Sequence, residues 1–165
     1  MRRLNLHVGG RRSARGLTLI ELMVGLAIMA ILATAAAPYL GDMVLNSRLR
    51  EGGNLLFAET LMAQSEAIKR NTTVRVSVNG ARVQVIDLSV PGAPVLLRER
   101  TMPGNVTALA TTFDFGPEGR PTPFGTAVAV NVTMTDQTCS HDLRCPGLRV
   151  DAGGAARLCG NVQSG

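Results

Sequence analysis

The pattern of apolar and polar positions divides the chain into three stretches. Residues 17–40 are almost uniformly apolar, with Glu21 the one charged side chain among them. A helix rises about 1.5 Å per residue, so a run of this length reaches roughly 30 Å or more and is long enough to cross a bilayer. From 41 to 71 the apolar positions recur at helical spacing, with Leu45, Leu49, Leu56, Ala63 and Ala67 on one face and Phe57, Leu61 and Ile68 widening it. Gly52-Gly53 interrupts that face. Each glycine costs about 1 kcal/mol relative to alanine in a helix, and the pair reads equally as a bend and as a close-packing site. Glu66 and Arg70 stand four positions apart on the polar side, where opposite charges attract.

After Asn71 the period becomes two. Alternating β-branched residues predict strands over 73–78 and 81–88, and Asn79-Gly80 between them is a hairpin signal. Further strands are expected over 95–101, 111–115, 126–134, 148–150 and 155–158. Turn chemistry separates them at Pro91-Gly92, Pro103-Gly104, Gly116-Pro117-Glu118-Gly119 and Gly153-Gly154. The expected class is α+β: a long N-terminal helix, membrane-spanning in its first half and packed in its second on an antiparallel sheet. The domain reading is a basic leader over 1–16, a membrane and filament-core helix over 17–40, an exported amphipathic helix over 41–71 and a β-rich domain over 72–165.

Charge changes this picture in one respect. The formal net charge of +5 suggests a nucleic-acid or acidic-membrane partner, but its location decides otherwise. Arg2, Arg3, Arg11, Arg12 and Arg15 fall within the first sixteen residues, which contain no acid, and from Leu17 onward twelve basic residues face twelve acidic ones. The basicity belongs to the leader. With no Trp, one Tyr and four Phe, an aromatic platform for single strands is also excluded. Arginines before the apolar run and Asp42 after it leave the leader in the cytoplasm and carry the rest of the chain outward.

The apolar run admits an ordinary anchor, a removable secretory signal, or something more particular. Ala35-Ala36-Ala37 fits a signal-peptidase site, which would release a soluble β binding domain. Pro38 just after that cut and Glu21 within the apolar region count against it, because a carboxylate at a bilayer centre costs about 2.5–3.5 kcal/mol. The stretch Arg15-Gly16-Leu17-Thr18-Leu19-Ile20-Glu21-Leu22 resembles the cleavage and methylation site of type IV pilins and type II secretion pseudopilins. The resemblance implies cutting after Gly16 by a prepilin peptidase and N-methylation of Leu17. It gives Glu21 the role of pairing with a neighbour's new amine, since a buried charge needs an opposite one, so Glu21 sets the register of assembly. Leu17 stands where the family commonly has Phe. Pro38 matches the proline that kinks the helix in many members.

The later chain narrows the resemblance to the GspH/FimT family of minor pilins and pseudopilins. The segment 63–71 within the helix, Thr112-Phe113-Asp114-Phe115 followed by Gly119-Arg120, and the closing strand pair over 150–159 are similar to that family's helix end and β domain. The implied function is a structural subunit of the initiating or tip complex of a type II secretion pseudopilus or a type IV pilus. Implied partners are the prepilin peptidase, other pilins or pseudopilins, inner-membrane lipid and secreted cargo. The implied location is the bacterial inner membrane, single-pass, with the N-terminus cytoplasmic and the C-terminal domain periplasmic. Some members bind DNA through a Gly-Arg-x-Arg hairpin; here Gly154-Ala155-Ala156-Arg157 keeps only the second arginine. Arg144, Arg149 and Arg157 are the candidate contacts of a DNA-uptake pilin, with a solvated surface the favoured alternative.

Little other chemistry is suggested. Cys139, Cys145 and Cys159 fall in the exported part, where disulfides persist. If the last two strands form a hairpin about Gly153-Gly154, Cys145 and Cys159 come near cross-strand register and are the favoured bridge. Cys139 is then free, or is itself the partner of Cys159. Cys139, His141 and Cys145 match no common zinc spacing. His141 is the only His after the leader, and no nucleophile elbow or phosphate loop accompanies it, so no enzyme and no cofactor are expected.

Overall fold

The computed structural model of the protein describes residues 17–160. One helix, α1 (Leu19–Arg70), runs unbroken for 52 residues. It ends at Asn71, whose φ of 53° places it in the left-handed region. The Thr72 N–H then donates to Ala67 O at 3.2 Å, closing the last turn as helix C-caps do. The chain divides between Pro38 and Tyr39 into two compact units. In the first, the apolar window Leu19–Ala36 is entirely unburied and is long and apolar enough to cross a membrane.

The second unit joins the remainder of α1 to the sheet. Leu49, Leu56, Ala63 and Ala67 are fully buried, as their spacing predicts. Leu61 and Ile68, expected to widen that face, are instead exposed, and Phe57 is half-buried. The stripe widens on its opposite flank, through Gly52 and Glu59, with Thr60 buried within it. A Cβ at Gly52 would lie 2.6 Å from Val106 Cγ1, and one at Gly53 would lie 2.8 Å from Pro146 Cγ. Gly52-Gly53 is thus a close-packing site in a helix that continues through it. Each fully buried Leu contributes about 1.5–3 kcal/mol, which outweighs the propensity that the glycine pair forfeits.

Eight strands follow: β1 (Val74–Gly80), β2 (Arg82–Asp87), β3 (Val95–Thr101), β4 (Val106–Phe115), β5 (Pro121–Thr122), β6 (Val128–Met134), β7 (Gly147–Val150) and β8 (Ala156–Cys159). They form one antiparallel sheet in the order β3-β2-β1-β4-β6-β7-β8, with the short β5 paired to β4. Asn79 pairs with Arg82, so Gly80 and Ala81 make the first hairpin turn, one position beyond the Asn79-Gly80 expected. Strand β4 begins five residues before its predicted start because a bulge opposite Val78 to Gly80 inserts one residue and reverses its alternation. Val106 and Ala108 therefore face the core on one side of the bulge, and Phe113 and Phe115 on the other.

Two polar contacts fix the sheet to the helix. Glu59 is buried, and its Oε1 forms ion pairs with Arg98 Nε at 3.1 Å and Arg100 Nε at 3.8 Å. Arg98 and Arg100 lie opposite Val85 and Val83, the core-facing residues of β2, which is why both reach toward the helix. Gln64 Nε2 donates to Gly119 O at 2.6 Å and to Gly154 O at 3.0 Å, tying the loop before β5 and the β7–β8 turn to one side chain. Gly154 has φ +93°, and a Cβ there would lie 2.5 Å from Gly119 O.

Candidate functional site: the helix head and the C-terminal hairpin

Gly16 lies outside the described residues, and Leu17, two positions before the helix begins, is exposed. Thr18 and Glu21 form a reciprocal cap. The Glu21 N–H donates to Thr18 Oγ1 at 3.3 Å, while Thr18 N–H and Oγ1–H approach Glu21 Oε2 at 3.5 and 3.4 Å. This is the Thr-x-x-Glu arrangement in which the side chain of each residue accepts from the backbone N–H of the other. The carboxylate sits in the first turn, where the helix dipole favours negative charge, and turns back toward Thr18. Thr18 is the functional neighbour that the sequence reading passed over, although its spacing from Glu21 carries the capping signal.

The cysteines pair otherwise than expected. Cys139 and Cys145 form the disulfide, with their Cα atoms 5.7 Å apart, and Cys159 is free and exposed. The favoured Cys145–Cys159 bridge fails because β8 brings Cys159 opposite Gly147, not Cys145. Cys159 lies on the exposed side of β8, whereas Cys145 is buried. The Cys139–Cys159 alternative fails with it. The bridge closes a loop that α1 grips: Asn46 Nδ2 donates to Asp142 O at 2.8 Å, and Arg144 N–H donates to Asn46 Oδ1 at 2.9 Å. His141 is exposed, 3.6 Å from Asp142. Among the described residues no group of three His, Cys, Asp or Glu gathers in a metal-binding arrangement.

The three candidate arginines do not form one patch. Arg149 and Arg157 lie directly opposite each other across β7 and β8, alternating with Leu148 and Leu158. Arg149 Nη1 donates to Asn131 Oδ1 at 2.9 Å, and Arg157 Nη2 stands 3.9 Å from Asp151. Arg144 instead lines a groove beside α1, on the side to which Leu158 turns.

The helix-and-antiparallel-sheet arrangement is that of the pilin class. It is similar to the type IV minor pilin FimU of Pseudomonas aeruginosa, with a TM-score of 0.57 and 17% identity over 68% of this chain and 89% of that one. A second crystal form of FimU gives 0.54 and 16%, over 67% and 91%. The minor pseudopilin EpsH of the Vibrio cholerae type 2 secretion system is similar with a TM-score of 0.52 and 13% identity, over 66% of this chain and 93% of that one. No curated protein matches the sequence. The prokaryotic N-terminal methylation motif matches residues 11–37, and the model of the type II transport protein GspH matches residues 53–156. The chain belongs to this GspH family of minor pilins and pseudopilins, whose members are structural subunits and not enzymes. Its apolar helix and methylation motif fit a single-pass, membrane-anchored pilin.

Proposed function

We propose that the protein is a minor subunit of the initiating or tip complex of a type II secretion pseudopilus or type IV pilus. A prepilin peptidase cuts after Gly16, Leu17 is N-methylated, and Glu21 pairs with a neighbour's amine to set the axial register. One observation carries this reading: Glu21 caps the head of a helix and is the one charged side chain in its window Leu19–Ala36, which is long and apolar enough to cross a membrane and wholly uncovered. A carboxylate at that place is costly in lipid and stabilised beside a positive amine. Pro38 lacks a backbone donor and weakens the ladder where the first unit ends. The leader stays cytoplasmic and the sheet domain is displayed in the periplasm to other subunits or to cargo.

A DNA-uptake role is supported by the cross-strand pair Arg149 and Arg157 without Arg144. It requires salt-dependent DNA binding by the domain that falls when both arginines are replaced. The deciding experiment is the intact mass and N-terminal sequence of the membrane protein from cells with and without active prepilin peptidase. The expected result is a peptidase-dependent chain beginning at methylated Leu17. A soluble chain beginning at Pro38, or one beginning at Met1 despite active peptidase, overturns the proposal.

A further inference from the structure

Asn46, Ser47, Arg50 and Asn54 recur at three- and four-residue spacing and so share one stripe of α1 that borders an open groove of about 1080 Å³. The opposite wall is the disulfide-closed loop with Asp142 and Arg144, and the floor includes Leu158. That wall is fixed in three ways: by the Cys139–Cys145 bridge, by the two hydrogen bonds to Asn46, and by the burial of Leu143 in the core.

Charge identifies what the groove lacks. In the same unit Arg70, Arg75, Arg82, Arg98, Arg100 and Arg157 each have a carboxylate within 4.0 Å. Arg48, Arg50, Arg120, Arg144 and Arg149 have none among the described residues; Arg120 lies over the Phe124 ring and Arg149 donates to Asn131, whereas Arg50 and Arg144 both border the groove. Two guanidiniums without a carboxylate, flanked by the Asn54 amide and the Ser47 hydroxyl, suit a carboxylate. The Asp142 carboxylate and the apolar Met43 and Leu158 in the lining disfavour a polyanion such as nucleic acid or a headgroup array.

We propose that this groove docks an acidic segment of a neighbouring filament subunit, a different pilin-class chain whose Asp or Glu engages Arg50 and Arg144. The inference rests on the filament-subunit reading and adds to it the face of contact and the chemistry of the partner. A second copy is not the occupant, because a head-to-tail groove contact between identical chains propagates without closing, whereas a minor subunit occupies a limited place in its filament.

The test places a photo-crosslinking amino acid at Ser47 of the full-length chain, in cells making the other pilin-class subunits, and sequences the crosslinked peptide. A control probe sits at Ile28 in the apolar span. The expected product at Ser47 is an Asp- or Glu-bearing peptide of a different pilin-class subunit. Its yield falls at least tenfold in the double variant R50E/R144E and survives in R50K/R144K, while the Ile28 products persist in both. If Ile28 captures pilin-class subunits but Ser47 captures none, or captures a second copy, lipid, nucleic acid or a segment without a carboxylate, the groove proposal is overturned and the filament reading stands. If neither position captures a pilin-class subunit, both are overturned.

Discussion

Gln64 was not singled out by the sequence, where a glutamine on a helix reads as solvated, yet its two contacts lie in segments far along the chain. Replacing it with leucine keeps the volume and leaves two carbonyls without a donor, a loss of about 1–3 kcal/mol. Gln64→Glu sets a carboxylate against the same two carbonyls at neutral pH, so it should cost more than Gln64→Leu at pH 7 and recover part of the difference near pH 4 as it is protonated. Denaturant unfolding of the detergent-solubilised chain at both pH values measures this; equal stability of the two variants at pH 7 would refute it. The glycines make a sharper contrast. An alanine at Gly52 gains helix propensity but drives its methyl into Val106, and overpacking of that kind costs about 1–3 kcal/mol. At Gly41 nothing lies within 4 Å, so Gly41→Ala should stabilise by up to about 1 kcal/mol. Opposite signs of the shift in Tm are expected, and the same sign at both sites would show that propensity alone governs this helix.

At the scale of elements, the helix end and the disulfide loop have different dependences on solution conditions. Glu66 accepts from Arg70 Nε at 2.6 Å, and this bond, aided by the nearby Lys69, holds its carboxyl below the ordinary value despite the opposing effect of desolvation. A lowered folded-state pKa adds stability that is complete above the unfolded pKa and is lost as pH falls through the folded one. The window therefore lies below the ordinary value of 4.5. Glu66→Gln should be less stable than the native chain at pH 7 and converge with it in acid, and parallel curves down to pH 3 would exclude this origin. The loop is tested by alkylating the native exported protein without reductant and mapping the label. One alkyl group, at Cys159, is expected, because Cys139 and Cys145 are joined; a label on Cys139 would show the pairing to be wrong. Removing the bridge by Cys139→Ser frees a short loop and should cost about 2–3 kcal/mol. The loop's pairing escaped the sequence reading because register depends on where β7 and β8 begin, and the hairpin signal at Gly153-Gly154 fixes their turn but not which cysteine lies in line with it.

At the scale of the whole molecule, the features legible in sequence were those carried by period and by motif. The apolar run, the helical stripe at Leu49, Leu56, Ala63 and Ala67, the strand alternation and the Gly16 to Glu21 segment all declare themselves locally, and the class α+β follows from their order. What escaped depends on contact between distant segments: the side of the helix that receives Glu59 and Gly52, the bulge that reverses β4, and the separation of Arg144 from Arg149 and Arg157. Assembly brings the most legible motif to a test of its own. Glu21 serves two partners in the proposal, Thr18 within its own helix and an amine on a neighbour, and the two contributions differ in size. Loss of a helix cap costs about 1 kcal/mol, whereas breaking a buried charge pair costs about 3–5 kcal/mol, and each 1.4 kcal/mol is about tenfold in an equilibrium. Thr18→Val should therefore lower the fraction of mature chain in sheared filaments by no more than about tenfold, and Glu21→Ala by considerably more. In both variants the mass of the processed chain should remain that of a peptide beginning at Leu17, since the cut lies before either side chain. Equal incorporation of the two variants would assign Glu21 to capping alone and remove the amine from the mechanism.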